Sequence, residues 1–299
     1  MAAMTVLLQL ILSGILVGSV YGFIALGFVI TYRSAHVFNI AYGQFAVLGA
    51  FLAWTFIGSP NAPRLPLPLA LLLTLISAIV FGLAVERLLF RRMIGRPLFA
   101  TFILTLGLLA ILHSAVMIIW GPKTLALATT LPKGPVNLGA IVLSKEYIAS
   151  FILAAIALIV FVLFFRHTKL GLAMRAAYDN QAAARCLGVS AELNSQIAWV
   201  MCTVIATVGG ILIASVGGVS MTLSELVMVV LAVVLIGGLD SLIGCIVGGL
   251  ILAIGQNLAG YYISPHLPGF ETIFSMIVIL LVLLIRPSGL FGTKPIERV

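Results

Sequence analysis

The sequence predicts an all-α polytopic membrane protein, and three observations lead to that fold class. Of the 299 residues, 63% are hydrophobic and 8% are charged, whereas a soluble domain carries about 25% charged residues. Apolar segments of about 20 residues, the length that crosses the hydrocarbon core of a bilayer, recur along the chain. The lysines and arginines behind the net charge of +8 lie in short loops between those segments. Such a chain cannot cover its own surface in water, so the lipid bilayer must be part of its solvent.

Nine apolar segments are candidates for membrane-spanning helices. They lie at 5–31, 38–57, 67–90, 98–120, 146–165, 195–217, 226–239, 241–262 and 272–286. The seventh segment is short, so eight crossings with one broken or re-entrant element agree with the sequence as well as nine crossings do. No stretch of soluble-domain character separates the segments. We therefore expect a single membrane domain over residues 1–299.

The positive charges predict which loops are cytoplasmic, because lysine and arginine collect on that side of a membrane protein. If the 86–97 loop lies inside, twelve of the 16 lysines and arginines fall inside and four fall outside. The segment at about 166–192 and the C-terminus are then cytoplasmic. The N-terminus lies outside with nine crossings and inside with eight. Charge of this kind is typical of membrane orientation, and we expect no nucleic-acid partner.

Glycines recur at intervals of four in two of the predicted helices. Gly14, Gly18 and Gly22 share one face of the first helix, and Gly244 and Gly248 repeat the spacing later. This spacing makes a smooth groove that lets a second helix backbone approach closely. We interpret it as helix packing inside one subunit, with a contact between subunits as the alternative.

Polar residues interrupt two of the apolar segments. Asn39 and Gln44 fall in the second segment, and Asp240 cuts the seventh short. Asn39 precedes Gly43 by four residues, as Asp240 precedes Gly244. Matched interruptions in two halves of a chain indicate an inverted repeat around a path for solute, and polar side chains at membrane depth usually face that path or the bundle interior. The alternative is a cap or turn near the membrane surface.

The cytoplasmic segment at about 166–192 is too polar to span the membrane and unusually rich in alanine, which favours helix. Gly188 offers a helix stop. The small side chains allow close docking, and Arg175 and Arg185 offer charge contacts at the rim. We predict a short helix that lodges in a groove of a partner protein. An amphipathic helix on the lipid surface is the alternative, although bulky apolar residues are scarce on its alanine-rich face.

The sequence lacks the patterns of residues that carry catalytic or phosphate-binding chemistry. No phosphate-binding loop, zinc-protease, nucleophile-elbow or Cys/His pattern occurs, which disfavours a membrane enzyme. Acidic residues lie mainly in loops or at helix ends, which disfavours a secondary transporter driven by an ion gradient. His113, alone in an apolar helix, is interpreted as a hydrogen-bonded structural residue rather than a proton relay. Cys186, Cys202 and Cys245 are far apart and predict no disulfide framework.

Several motifs together resemble a known family. They are GSVYGFIALG at 18–27, NIAYGQ at 39–44, ER at 86–87, TKLGLAMRAA at 168–177 with LGV at 187–189, GGLDSLIG at 237–244, GGLILA at 248–253 and RPSGLFG at 286–292. In this order, over almost the whole chain, they resemble the permeases of branched-chain amino-acid ABC importers of the LivH type. The resemblance implies a multi-pass permease of the bacterial inner membrane that carries branched-chain or related amino acids.

The same resemblance implies partners and no cofactor in this chain. A second permease of the LivM type would complete the pore, two ATP-binding subunits would bind and hydrolyse ATP, and a periplasmic substrate-binding protein would deliver the solute. The lipid bilayer is the remaining partner. If ATP drives transport, another chain hydrolyses it.

The interruptions, the composition of the segment at about 166–192 and the resemblance together give candidate site residues. The cytoplasmic segment is similar to the segment that couples such permeases to their ATPases, and its candidates are Lys169, Gly171, Arg175, Ala176, Ala183, Ala184 and Gly188. The candidates for the substrate pathway are Asn39, Tyr42, Gly43, Gln44 and Asp240. Tyr42 stands where the family usually has histidine, and Asp240 where glycine is common. These departures leave the solute open, with urea, short amides or small organic acids as the alternative cargo.

Overall fold

A computed structural model describes most of the chain. The described residues are 2–35, 37–58, 65–127, 134–138, 141–179, 184, 186, 188–286 and 289–292. Ten α-helices have bounds within this part: α1 Ala2–Ala35, α2 Tyr42–Gly58, α3 Leu67–Leu88, α4 Leu98–Trp120, α5 Lys145–His167, α6 Lys169–Asp179, α7 Ala191–Gly217, α8 Leu226–Gly237, α9 Leu242–Tyr262 and α10 Phe270–Ile285. Short 3-10 turns lie at Phe90–Met93 and Met221–Glu225. Strands β1 (Pro135–Leu138) and β2 (Ile141–Ser144) pair antiparallel, with Pro135 opposite Ser144.

The predicted fold class is confirmed, because each of the nine apolar segments contains an α-helix. Six described helical spans are long and apolar enough to cross a membrane: Met4–Ser34, Leu67–Met93, Leu98–Trp120, Lys145–His167, Ala191–Gly217 and Leu242–Tyr262. Three shorter apolar helical segments accompany them, at Tyr42–Gly58, Met221–Gly237 and Phe270–Ile285. At 1.5 Å per residue, α2 is about 26 Å long and α8 about 18 Å, against a hydrocarbon core of about 30 Å. The number of crossings, eight or nine, stays a prediction.

The chain divides into two compact units. Unit 1 comprises Met1–Val29, Leu131–Ala155 and Met228–Val299, and unit 2 comprises Ile30–Thr130 and Ile156–Val227. Helices α1, α5 and α8 each contribute residues to both units. Whether the whole chain behaves as the single membrane domain that the sequence predicts stays a prediction.

Unit 1 is built on the close approach of α1 and α9 through the glycines that the sequence singled out. A Cβ placed on Gly14 would lie 2.8 Å from Ile254 Cα, one on Gly18 would lie 2.8 Å from Leu250 Cα, and one on Gly22 would lie 3.1 Å from Ile246 Cα. The facing residue number falls by four as the glycine number rises by four, so the two helices run antiparallel. On an adjacent face of α9, Gly244 and Gly248 lie against Gly237 and Val233 of α8. Packing within one subunit, the favoured interpretation, is therefore confirmed.

Unit 2 is built around α7, the most buried of the six long spans. In its most apolar window 67% of the residues are buried, against 17% for α5. A Cβ on Gly49 of α2 would lie 2.7 Å from Thr207 Cα, and one on Gly82 of α3 would lie 3.0 Å from Val200 Cα. Thr203 of α7 donates a hydrogen bond to the Ala78 carbonyl of α3, with an O···O distance of 2.9 Å. Helix α7 thus supplies the surface on which α2 and α3 are held.

The contact between α1 and α9 gives the first prediction. We expect Gly18→Ala to lower the thermal unfolding temperature of the detergent-solubilised protein, because the added Cβ would lie 2.7 Å from the Gly249 carbonyl oxygen. Overpacking of this kind costs about 1–3 kcal/mol. Gly107→Ala on α4 is the matched control, since a Cβ there meets no neighbouring atom within 4 Å. The control should keep or raise the unfolding temperature, as alanine is the better helix former. Equal shifts in the two variants would contradict the close approach.

Candidate functional site

The first interruption that the sequence indicates is a non-helical segment between α1 and α2. Residues 37–41 are outside helix, and α2 begins only at Tyr42. The Tyr42 N–H donates to the Asn39 carbonyl at 3.3 Å, and the Gln44 N–H donates to the Ala41 carbonyl at 2.9 Å. Asn39 is 0% exposed and Gln44 is 2% exposed. Irregular backbone at membrane depth is tolerated where it is buried in protein or lines water, and here it is buried.

Two helices of unit 2 hold this interrupted segment by polar contacts. The Asn39 side-chain amide donates to Cys202 Sγ of α7 at 3.9 Å. Thr105 of α4 donates to the Phe38 carbonyl at 3.4 Å and to the Phe102 carbonyl at 2.8 Å. The segment is therefore positioned by α4 and α7.

Gln44 makes the third polar contact. Its Nε2 lies 3.3 Å from His113 Nδ1 of α4, a hydrogen bond that the amide donates when His113 carries its proton on Nε2. This contact agrees with the interpretation of His113 as a hydrogen-bonded residue. The His113 side chain is nevertheless exposed in this chain, seven residues before the end of α4. That distance is about 10 Å along the helix, so His113 lies at membrane depth. A polar ring there is costly against lipid, which favours water or another protein on this side of α4.

Two acceptor oxygens, one in the interrupted segment and one in the first turn of α2, have no partner. Asn39 Oδ1 and Gln44 Oε1 are both buried, and neither accepts a hydrogen bond from a described residue. A buried acceptor without a partner costs free energy, so native proteins keep few of them. Both oxygens are enclosed by protein in this conformation, so a small polar solute would reach them only after the surrounding helices move apart. The segment contains no carboxylate, so it offers neutral, weak contacts rather than a charge.

The remaining pathway candidates have different surroundings. Tyr42 is buried, with its ring 6.5 Å from the Phe45 ring, and takes part in further interactions. Gly43 faces the 3-10 turn Met221–Glu225, and a Cβ on it would lie 3.2 Å from the Ser224 carbonyl carbon. This close approach explains the glycine at position 43 by packing alone.

Asp240 lies in unit 1, in the tight turn between α8 and α9, and is half-buried with an interaction partner. Ser241 caps α9 by accepting the Gly244 N–H at 2.9 Å. Gly238 has φ +109, which explains why the turn needs a glycine. At both interruptions, a polar residue outside the helix is thus followed four residues later by a glycine in the first turn of the next helix, as the spacing predicts. The inverted repeat itself, and a role in transport for these residues, stay predictions.

The segment at about 166–192, which the sequence predicts to be cytoplasmic, contains helix α6, in agreement with the predicted short helix. Thr168 caps it by accepting the Gly171 N–H at 3.0 Å. Gly171 is buried against the end of α5, where a Cβ would lie 2.7 Å from Phe165 Cα. Arg175 donates to the Arg166 carbonyl at 3.4 Å. Lys169 is exposed, and Arg175 and Ala176 are half-buried.

A cation–π contact ties α6 to the end of α1. The Arg33 guanidinium carbon lies 3.7 Å from the centroid of the Tyr178 ring. Such contacts contribute about 0.5–1 kcal/mol at exposed sites and more when desolvated. Arg33 is four residues before the interrupted segment, so α6 is fastened close to the start of that segment.

The end of the cytoplasmic segment confirms the helix stop. Gly188 has φ +86, and the Val189 N–H donates to the Ala184 carbonyl at 2.9 Å. This bond and the left-handed glycine form the Schellman motif that ends helices. Ala184 is buried and Gly188 is exposed. Ala183 and Arg185 lie outside the described residues. The coupling role of this segment stays a prediction.

The structure adds site residues that the sequence did not indicate. Cys202 and Trp199 of α7 are fully buried, Cys202 against Asn39 and Trp199 against Phe45, with 6.2 Å between the two ring centroids. Both look like ordinary apolar positions of a membrane helix, so only their contacts identify them. Within the described residues, no three His, Cys, Asp or Glu side chains are grouped so that they could hold a metal ion.

Comparisons with known proteins agree with the resemblance. The chain matches, over residues 10–286, the family described as the permease component of a branched-chain amino acid transport system. BraD of Pseudomonas aeruginosa, named a high-affinity branched-chain amino acid transport system permease protein, is 26% identical over 303 residues, with 98% of each chain covered.

Two LivH proteins with the same descriptive name are similar over almost the whole chain. That of Salmonella typhimurium is 25% identical over 307 residues, and that of Escherichia coli K12 is 24% identical over 304 residues. Each alignment covers 98% of this chain and 97% of the relative. With its apolar spans and the family match over residues 10–286, this multi-pass membrane protein belongs to the family of branched-chain amino acid transport permeases.

Proposed function

We propose that this chain is the membrane-spanning permease subunit of an ATP-driven importer in the bacterial inner membrane. Its cargo is a branched-chain or related amino acid. The observation that carries the proposal is a pair of buried, unpartnered acceptor oxygens, on Asn39 in the interrupted segment 37–41 and on Gln44 in the first turn of α2. Neutral acceptors suit the polar end of a small solute that must bind weakly and leave again.

The acidic residues favour ATP over an ion gradient as the energy source. Ion-coupled transporters place carboxylates in the membrane interior. Every described carboxylate lies in a turn or within three residues of a helix end: Glu86, Glu146, Asp179, Glu192, Glu225, Asp240 and Glu271. Glu86, which is buried, lies seven residues before the end of the Leu67–Met93 span, and no other described acidic residue lies nearer to the centre of one of the six long spans.

The partners follow from this function. A second permease of the LivM type completes the pore, two ATP-binding subunits hydrolyse ATP on the cytoplasmic side, and a periplasmic binding protein supplies most of the selectivity. The cytoplasmic segment at about 166–192 is the coupling segment, which docks on an ATP-binding subunit. The exposure of Lys169 and Gly188 supports this role, as does the capped, left-handed end that fixes the helix before α7.

The first test concerns energy source and cargo. Proteoliposomes that contain the complex, purified through a tag on this chain, should take up leucine when ATP is supplied to the ATPase side. Uptake should persist when ionophores collapse the membrane potential and should stop when ATP is removed. Urea and acetamide serve as the alternative solutes. Uptake that follows the potential and ignores ATP would rule out the importer and favour a secondary transporter.

The second test concerns the solute path. Gln44→Met should lower leucine uptake severalfold with a change in stability within about 1 kcal/mol, because it removes a buried acceptor that has no partner along with one hydrogen bond. Gln256→Met on α9 is the matched control. It removes a 2.7 Å hydrogen bond to Ser275 Oγ and should lower the unfolding temperature while uptake per folded complex is kept. Equal losses of uptake in the two variants would refute the path assignment.

The third test concerns orientation and uses the native cysteines. The Cys186 side chain is exposed, whereas Cys202 and Cys245 are buried. With the coupling segment and the C-terminus in the cytoplasm, a membrane-impermeant maleimide should label the chain, expressed without ATP-binding subunits, in inverted vesicles and not in intact spheroplasts. Cys186→Ser should abolish the labelling. Labelling from the outer side would reverse the orientation.

A further inference from the structure

A group of charged side chains lies where the cytoplasmic segment leads into α7. Glu86 is in the last turn of α3, Arg91 is in the 3-10 turn that follows, and Glu192 is in the first turn of α7. Arg91 Nη2 lies 2.6 Å from Glu192 Oε2, and Arg91 Nε lies 3.9 Å from Glu86 Oε1. We call these three residues the Arg91 network. The two salt bridges found among the described residues are Arg91–Glu86 and Arg91–Glu192.

The three side chains of the Arg91 network differ in solvent exposure, and this difference suggests a different role for each of them. The side chain of Glu86 is 0% exposed, that of Arg91 is 33% exposed and that of Glu192 is 59% exposed. Glu86 Oε1 and Arg91 Nε form no hydrogen bond, and their separation of 3.9 Å is at the outer limit of an ion pair, so Glu86 contributes an electrostatic attraction to Arg91. The guanidinium is a planar fork and contacts a second carboxylate at the same time, which a lysine ammonium does less well. Arg91 therefore presents a fixed charge to Glu192.

The Arg91 network contacts the junction at residues 188–192, which directly follows the helix stop of the cytoplasmic segment. An open cleft of about 490 Å³ is lined by Arg91, Ile94 and the consecutive residues 188–192. Gly188, at φ +86, ends the helix, and Ser190 caps α7 by accepting the Leu193 N–H at 3.2 Å. Only a few residues therefore separate the helix stop at Gly188 from α7. Glu192 is the residue that binds this junction to Arg91.

A row of aromatic rings leads from the same turn to the interrupted segment. The Phe90 ring is stacked on the Trp199 ring, with centroids 4.0 Å apart and an interplanar angle of 24°. The Trp199 ring meets the Phe45 ring at 6.2 Å, and the Phe45 ring meets the Tyr42 ring at 6.5 Å. Close-packed interiors transmit displacement rather than absorb it. The row therefore joins the turn that holds Arg91 to the first turn of α2, beside Asn39.

We propose that Arg91 is a positioning residue that couples the cytoplasmic segment to the solute path, an inference that rests on the proposed function. When an ATP-binding subunit displaces the segment, the Arg91–Glu192 ion pair carries the displacement into α3 and α7. The aromatic row passes it to the interrupted segment that holds Asn39 and Gln44. Without the ion pair, the junction at 188–192 moves independently, and ATP is hydrolysed with little transport.

The experiment measures leucine molecules transported per ATP hydrolysed by the complex in proteoliposomes. Arg91→Gln and Glu192→Gln are each expected to lower this ratio about fivefold or more, the lower range of ordinary coupling between sites. The double variant should lose no more than Arg91→Gln alone, because Arg91→Gln already removes the ion pair with Glu192. Glu192 is largely exposed, so Glu192→Gln should keep the wild-type unfolding temperature even if Arg91→Gln, which leaves Glu86 without its partner, fails to fold.

Two further variants make the result decisive. Arg92→Gln removes the same charge one residue away, on an exposed side chain that forms no salt bridge with the described residues, and should leave the ratio unchanged. Ala176→Trp alters the cytoplasmic segment itself and should lower the ratio. If Ala176→Trp lowers it and Glu192→Gln does not, or if Arg92→Gln lowers it equally, the role of Arg91 is overturned and the proposed function stands. If wild-type transport ignores ATP, both fall.

Discussion

One constraint governs this protein: backbone that leaves the helical conformation at membrane depth cannot face lipid, because its N–H and C=O groups would have no partners. At residues 37–41 the backbone leaves the helical conformation and is largely enclosed within unit 2, as this constraint demands of a break at membrane depth. Helix α7 contacts the break through Cys202 and α4 contacts it through Thr105, while His113 of α4 contacts Gln44 in the first turn of α2. The other features of unit 2 follow from the need to bring these helices close enough to do so.

Close approach requires small residues, and the positions of the glycines answer that need. Gly49 and Gly82 let α2 and α3 lie directly on α7, just as Gly14, Gly18 and Gly22 let α1 lie on α9 in unit 1. Between helices in a bilayer there is little hydrophobic driving force, since lipid tails are as apolar as leucine. Van der Waals contact and a few hydrogen bonds must then hold the bundle, and both increase as backbones approach.

Some of the buried polar groups have a clear structural reason to be present. Thr203 and Thr74 bond to carbonyl groups, and Trp120 donates to Thr55 Oγ1 at 2.9 Å. Asn39 Oδ1 and Gln44 Oε1 are acceptors without such a partner. Sites that break a local rule of stability are where function is expected, because the cost persists only if something else selects for it. That reasoning, together with the family of permeases, connects the interrupted segment to solute transfer.

The sequence by itself determined the fold class, the nine helical segments, the helix stop at Gly188 and the position of both interruptions. These are local properties, set by hydrophobic length and by the preferences of single residues. Only the tertiary structure decided that Asn39 contacts Cys202, 163 positions further along the chain, and that Arg91 joins Glu86 to Glu192. Because these helices are apolar on every face, their hydrophobic pattern does not indicate which helix packs against which face. Complementary surface shape, such as a glycine groove or the ring of Trp199, selects the neighbouring helix. That complementarity is visible only in the packed structure.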